Sequence, residues 1–551
     1  MRRLLLILFF LSGLSVSISQ AQSAAWVHFN QPFYVAGEVI WYKLYLPDNF
    51  PLGSKVITVS LVDPRGDLVA QSYLRRRQAV SVSGFYRVPF DWGSGAYRLV
   101  FSVTKEVTHE PLVLAETLLP IYDDLEKQAA SRTGPAVQLP KTNLPTSLRV
   151  SVETTQATYA PGSSASIRIK VQDEQGNPVE GEVSIAVRDQ QLFALEEAGF
   201  NALQVGKVLT DTANWEEDIN LRGRLLNPED RAPLPAGNIA AYLLEAYQFL
   251  YAKADSAGRF TLDLPDLYGK IPLHMIGFFP ENILVDLELV PKLSALPQAA
   301  LPYPDQVRQY LGLSQKRKLI YQLYGRLEQE VEAIYPTMSY EKPEADSPVP
   351  LDEYDAFPDL ATMARDLSIP IRFRKWENDR LGVRIFDPSQ TLRSYYSDRP
   401  IFIVDGMLTR NDHYIAELDI TKIEHFDLFY DFDRLLPLYG PLARFGLVRI
   451  ESRNRNISVP EGDQKNYFQL KGFPAEVNYP ISVDPTAEAP VQLRPALYWQ
   501  PKAKTNASGE LQVSVPLTDD QSRFQIEVVV QNAEGKRGQG TATFLIQDPE
   551  R

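Results

Sequence analysis

From residue 26 to about residue 122, apolar and polar positions alternate in short runs broken by turn residues, a period of two that predicts β-strands. Residues 39–46 form one run. Residues 56–62 form another, closed by the turn Asp63-Pro64-Arg65-Gly66, and Gly95 opens a third. Together they predict a β-sandwich over residues 22–122. Residues 123–145 are polar and dotted with proline, as in a linker. Alternation returns at residues 148–152, 167–171 and 183–187 and predicts a second sandwich over residues 146–200. Its Tyr159-Ala160-Pro161-Gly162 weakly repeats the earlier Tyr34-Val35-Ala36-Gly37. A third, small sandwich is expected over residues 215–295, where Asp255-Ser256-Ala257-Gly258 reads as a tight turn whose glycine takes positive φ.

The period then becomes helical. Val307, Leu311, Leu319, Ile320, Leu323, Leu327 and Val331 fall at helical spacing, with an interruption at Gly312-Leu313-Ser314 where Ser314 can cap a second helix. Residues 301–351 are therefore expected to be a helical connector running into a mobile linker from Tyr335 to Tyr354, which is rich in Pro, Glu and Asp. The richest signal follows, between Arg399 and Asn454. An apolar run, Ile401-Phe402-Ile403-Val404, stops at Asp405-Gly406. Asp419-Ile420-Thr421 begins a capped turn into a second run, and Tyr439-Gly440 makes a corner before Gly446 opens a third. This predicts a small α+β module over residues 352–454. Strands resume over residues 466–551. The fold class is mainly β: tandem immunoglobulin-like sandwiches, a helical connector and one α+β unit.

Several of these stretches resemble known families. Tyr34-Val35-Ala36-Gly37-Glu38, Asp63-Pro64-Arg65-Gly66, Gly84 and Gly95-Ala96-Tyr97 as a set resemble the second macroglobulin (MG2) domain of the α2-macroglobulin family, and residues 146–200 look like another macroglobulin-type sandwich. Leu221 to Leu226, Pro235 to Leu243 and Asp255 to Leu262 resemble the carboxypeptidase regulatory-like fold, a noncatalytic appendage. Residues 494–535 resemble the domain named for the α2-macroglobulins, although no cysteine is present to form a thioester. The 399–454 stretch resembles the plug domain of TonB-dependent outer-membrane receptors. Such receptors continue into a barrel of about 22 strands, each needing roughly 9–11 residues. Only 97 residues follow Asn454, so the expectation is a plug-like module without its pore.

Composition narrows the function. Met1 to Ala21 combines Arg2-Arg3, an apolar run and a Ser19-Gln20-Ala21 ending, the pattern of a secretory signal peptide cleaved after Ala21. No later stretch is apolar enough to span a bilayer. The net charge of −13 argues against nucleic acid and anionic lipid as partners. The absence of cysteine excludes disulfides, thiol catalysis and Cys-based zinc sites.

Five histidines, His28, His109, His274, His413 and His425, form no zinc-peptidase motif. The His413/Glu417 pair reads as a surface ion pair. Asp427, Asp431 and Asp433 read as a solvated turn rather than a calcium loop, and Arg75-Arg76-Arg77 as a charged edge or turn. No catalytic, cofactor-binding or metal residue is assigned, and no enzyme activity is expected. The expected role is a non-enzymatic, protein-binding scaffold, exported to the periplasm and associated with the outer membrane. It would serve TonB-dependent-type transport or envelope assembly, with other envelope proteins, including receptor complexes, as partners. The alternative is a macroglobulin-like protease-interacting protein without a thioester.

Overall fold

The computed structural model describes residues 24–51, 53, 55–77, 79–126, 146–193, 202–208, 214–279, 281–288, 301–323, 333–335, 340–354, 357–375, 381–390, 394–477, 479 and 493–548. The signal peptide expected over residues 1–21, Leu327 and Val331 lie outside them.

The first sandwich is built from β1 (Ala24–Phe29), β2 (Tyr34–Val35), β3 (Val39–Tyr45), β4 (Lys55–Val62), β5 (Leu68–Arg76), β6 (Ser81–Arg87), β7 (Gly95–Thr104) and β8 (Pro111–Tyr122). One sheet runs β2-β8-β7-β4-β5 and the other contains β1-β3-β6. Gly95 is needed because a Cβ there would lie 2.3 Å from Pro64, so the strand opening and the Asp63 turn fit against each other.

The second sandwich begins with β9 (Arg149–Thr154), β10 (Thr158–Tyr159), β11 (Ser164–Gln172) and β12 (Glu182–Asp189). The chain then leaves it. Strand β13 (Leu203–Val208) pairs with β1 and so extends the first sandwich, whose core also takes in Trp215. A third sandwich follows: β14 (Ile219–Leu226), β15 (Asn238–Leu243), β16 (Gln248–Lys253), β17 (Arg259–Leu264), β18 (Lys270–Phe279) and β19 (Leu284–Leu287).

A single helix spans Asp305–Leu323. The expected break at Gly312 does not occur, because Ser314 is buried in the helix face that packs on the first sandwich. Leu319 and Leu323 are exposed. The buried face instead consists of Val307, Tyr310, Leu311, Ser314 and Arg317.

The strands β20 (Ala333–Ile334), β21 (Ile371–Lys375), β22 (Leu381–Asp387), β23 (Ser394–Tyr395), β24 (Ile401–Val404), β25 (Met407–Thr409), β26 (Ile423–Phe429) and β27 (Leu447–Ser452) lead through the α+β module. Its main sheet runs β25-β24-β27-β26. The described part of the segment expected to be a mobile linker is packed here: Ser347 and Pro350 bridge to Leu428 and His425 on the edge of β26, and Val349 and Leu351 enter the module's core.

After the module, β28 (Tyr467–Lys471) returns to pair with β18 of the third sandwich, and β29 (Glu476–Val477) pairs with β20. Finally β30 (Ala496–Lys504), β31 (Glu510–Pro516), β32 (Arg523–Gln531) and β33 (Arg537–Ile546) rejoin the second sandwich. Its sheets are β10-β33-β32-β12-β30 and β31-β11-β9. The segments read from sequence as separate sandwiches, 146–200 and 466–551, thus share both sheets and one core, in which Ile185 and Val187 pack with Val528 and Phe544. Four strands cannot close a sandwich, and neither segment can bury its apolar faces alone.

The first two sandwiches have the same strand order. Replacing β1–β8 by β9–β12 and β30–β33 in sequence converts one pair of sheets into the other. In both, a two-residue strand pairs in parallel with the last strand, β2 with β8 and β10 with β33, just before a glycine at positive φ, Gly37 or Gly162. The weak sequence repeat marks this shared feature. The difference is one connection. Strands β4 and β5 are joined by the tight Asp63 turn, whereas β12 and β30 are joined by residues 190–495, which carry the third sandwich with the α+β module inserted between β19 and β28.

Candidate interaction surfaces

The α+β module forms where its motifs are written. Asp405 and Gly406 take φ of 47° and 87°, the left-handed pair required by a two-residue hairpin. The Asp405 carboxylate then accepts from Ser452 N–H (2.8 Å), Ser452 Oγ (2.6 Å) and Ile457 N–H (3.1 Å), tying the hairpin to the end of β27. Asp419 caps the short turn before β26 by accepting from Thr421 N–H at 3.1 Å. Gly440 takes φ of 65°, and a Cβ there would meet the Tyr251 ring of the third sandwich at 2.5 Å.

The module's sheet buries both faces. Phe402, Val404, Phe426, Leu428, Val448 and Ile450 point into its own core, while Ile401, Ile403, Leu408, Phe429 and Leu447 pack on Ala240, Tyr242, Phe249 and Ile276 of the third sandwich. His274 of β18 closes this seam. Its Nε2–H donates to the Asp463 carbonyl (2.6 Å) and its Nδ1 accepts from Leu408 N–H (2.6 Å), and burial pushes its pKa down to about 4. At this seam the helix Phe432–Tyr439, capped by Asp431, buries Leu435 and Tyr439 against the third sandwich and leaves Phe432, Leu436 and Leu438 37–45% exposed.

The acidic trio serves three separate purposes. Asp427 is buried against Arg449 at 2.8 Å, Asp431 caps the helix, and Asp433 lies in its first turn. His413 and Glu417 form a solvent-facing pair at 3.6 Å. Among the described residues, no group of three His, Asp or Glu side chains is placed to hold a metal ion, and no helix is long and apolar enough to cross a membrane.

Polar groups that the sequence did not single out hold the sandwiches together. Glu38 is buried and accepts from Val35 N–H (2.9 Å), Gln31 (2.9 Å), Tyr310 Oη (2.6 Å) and Arg317 (3.0 Å), fastening the long helix to the first sandwich. Between the first two sandwiches, His28 Nδ1 lies 2.6 Å from Ser184 Oγ and its Nε2 3.6 Å from Glu527, which Arg188 contacts at 2.6 Å. A serine, a histidine and a carboxylate are thus adjacent, but His28 and Ser184 are fully buried, so the arrangement is a structural seam. Burial pushes the His28 pKa down; the Glu527 carboxyl, raised by burial, is held low by the stronger combined pull of Arg188 and His28. The only sequence signal for these groups is a lone polar residue in an otherwise apolar strand, as in Trp26-Val27-His28-Phe29.

Beside this seam opens a cleft of about 730 Å³ where the three sandwiches meet. Its aromatic lining includes Trp41, Phe85 and Trp499 from the first two sandwiches and Tyr268 and Phe473 from the third. The arginine run read as a charged edge or turn forms part of its structure. Arg75 reaches across to Asp218 and Asp266 and stacks on Phe473, Arg76 is buried and donates to the Ala79 and Pro51 carbonyls at 3.0 Å, and Arg77 lines the cleft.

No family model matches this chain, and no curated protein matches it. Among solved structures, it is similar to Salmonella alpha-2-macroglobulin reacted with methylamine, with 8% identity and a TM-score of 0.24 over 96% of this chain and 40% of that one. It is also similar to native Escherichia coli alpha-2-macroglobulin, with 9% identity and a TM-score of 0.24 over 96% and 40%. A third similar structure is the Escherichia coli adhesin FdeC, with 11% identity and a TM-score of 0.14 over 52% and 66%. The chain spans about two-fifths of the length of those macroglobulins.

Proposed function

We propose that this chain is a non-enzymatic protein-binding scaffold, exported to the periplasm and associated with the outer membrane, where it serves receptor-type transport or envelope assembly. The observation that carries the reading is the helix Phe432–Tyr439. A module whose sheet is already covered on both faces still turns three large apolar side chains to water. Exposed apolar side chains on a helix are a common protein-recognition element. The plug resemblance of residues 399–454 supplies the envelope setting.

The test is co-purification from outer-membrane extracts, comparing the full chain with a Leu436→Asp/Leu438→Asp variant. The two side chains flank the buried Leu435 and Tyr439 on opposite sides of the helix and are each nearly half exposed, and a cooperative urea transition of the variant checks that its fold is kept. Loss of the captured proteins supports the reading, and an unchanged set refutes it.

A second reading, contact with proteases in the manner of macroglobulins, is favoured by the duplicated eight-stranded sandwich together with its macroglobulin-like motifs. A chain without cysteine cannot capture a protease through a thioester. Stable association with trypsin or elastase on native gels would move the weight to this reading.

A further inference from the structure

Three sheet edges converge on the interdomain cleft. Strand β5 ends one sheet of the first sandwich, β6 ends the other, and β30 ends a sheet of the second; all three contribute lining residues. Strand β30 carries Pro501, which has no N–H to donate, and its register with β12 is irregular beside it. Strand β6 contains no proline and pairs only with β3 among the described residues, so its outer edge can accept another strand.

The lining is strongly biased in charge. Lys43, Arg75, Arg77, Lys502 and Lys504 line the cleft against one carboxylate, Glu182, in a chain whose net charge is −13. Lys43 is committed to Glu182 at 3.7 Å and Arg75 to Asp218 and Asp266. Arg77 and Lys504 are solvent-exposed.

Two tryptophans form part of the cleft wall. Trp41 and Trp499 are 3% and 1% exposed, both line the cleft, and neither indole N–H has an acceptor among the described residues. Both indole nitrogens are themselves closed off from solvent, so the two rings give the cleft an apolar wall rather than donors for its contents. The volume lies within the range of about 300–1,000 Å³ typical of ligand sites.

We propose that this cleft binds an extended, acidic polypeptide segment, which adds as a strand to the open edge of β6 and sets carboxylates against Arg77 and Lys504. Backbone hydrogen bonds would supply affinity that depends little on sequence, and the cationic rim would select for acid.

The probe is a fluorescein-labelled eight-residue peptide of alternating Glu and Val, titrated into the full chain. Its controls are the Lys/Val counterpart, the Glu/Val peptide N-methylated at alternate residues, and a neutral chitin hexasaccharide. The expected result is saturable binding of the Glu/Val peptide, weakened at least tenfold by raising salt from 50 to 500 mM and by the surface variant Arg77→Glu/Lys504→Glu. Quenching of tryptophan emission should accompany it. Binding of the Lys/Val peptide as tightly as the acidic one overturns the charge argument, and equal binding of the N-methylated peptide overturns strand addition. Absence of binding at millimolar peptide, or preference for the oligosaccharide, overturns the proposal. The cleft lies apart from the helix Phe432–Tyr439, so failure of the Leu436/Leu438 test leaves this proposal standing, and the reverse also holds.

Discussion

The Nδ1 atom of His274, on the third sandwich, accepts a 2.6 Å hydrogen bond from the backbone N–H of Leu408, on the α+β module. That bond requires a neutral ring with its proton on Nε2, where the Asp463 carbonyl receives it. Protonating Nδ1 places two N–H groups nose to nose and breaks the seam. The folded pKa of about 4 lies below the ordinary value of 6.5 because the ring is buried. Between those values the unfolded chain takes up a proton that the folded one does not, so stability is intact above about pH 6.5 and falls as pH drops toward 4. The full difference is on the order of 3 kcal/mol. Urea midpoints at pH 7 and pH 5 should fall more for the native chain than for His274→Gln; equal falls would show that this ring does not titrate as described.

Asp405 is expected to be a stability residue of the module. Asp405→Ala removes the acceptor for three donors at the end of β27, two of them backbone N–H groups, and should cost about 2–4 kcal/mol. Asp405→Asn keeps one oxygen and tolerates the φ of 47°, so it should cost less than half as much. Thermal unfolding of the two variants checks the order. A loss no larger for Ala than for Asn would mean that the carboxylate bonds contribute little.

The turns at Asp63 and Asp255 were legible in the sequence because their physics is local, and three more turns are built the same way. Asp63, Asp173, Asp255, Asn506 and Asn532 each accept N–H bonds from residues two and four positions on, and the glycine three positions on takes positive φ in every case. The Asp405-Gly406 hairpin and the Asp419 cap are of the same kind. Strand partners were not legible. Alternation tells which side of a strand is apolar and says nothing about which strand covers it, so Val187 gave no sign that Tyr498 would be its neighbour. The cleft was hidden for the same reason, since Trp41 and Arg77 of the first sandwich meet Lys504 of the second only after the two have packed. The buried roles of Glu38 and His28 were not legible because a single polar residue in an apolar run carries no spacing to read.

Two glycines should respond in opposite directions to alanine. Gly312 lies inside the long helix with nothing within 4 Å of the position a Cβ would take. Gly312→Ala should therefore stabilise by about 0.5–1 kcal/mol, through helix propensity and a less flexible unfolded chain. Gly406 has φ of 87°, and its Cβ would come within 2.5 Å of Leu244 on the third sandwich. Gly406→Ala should destabilise by at least about 1–2 kcal/mol. Urea unfolding of the two variants separates them, and a loss at Gly312 would mean that the helix bends there for a reason other than sequence.

The shared strand order of the first two sandwiches leads to the most demanding prediction. If the second sandwich is the first with its β4–β5 turn replaced by residues 190–495, that excursion should be dispensable for its fold. The ends of the excursion already meet: Arg188 pairs with Ala496 in the antiparallel register, and Asp189 N–H bonds to the Pro495 carbonyl at 2.7 Å. A four-residue turn can bridge that gap. The core is complete without the rest of the chain, because every buried member of it falls between Leu148 and Val187 or between Leu497 and Ile546. The faces that meet the first sandwich and the long helix, with Ala186, Trp499, Val529 and Ala496, would be newly exposed. A shortened chain of residues 146–189, the turn Asp-Pro-Arg-Gly taken from residues 63–66, and residues 496–548 should therefore fold alone when Trp499→Thr and Val529→Thr keep those faces soluble. Far-ultraviolet circular dichroism should show β-structure with one cooperative thermal transition. A shortened chain that stays unfolded while the full-length Trp499→Thr/Val529→Thr variant folds would mean that the second sandwich depends on the domains it encloses.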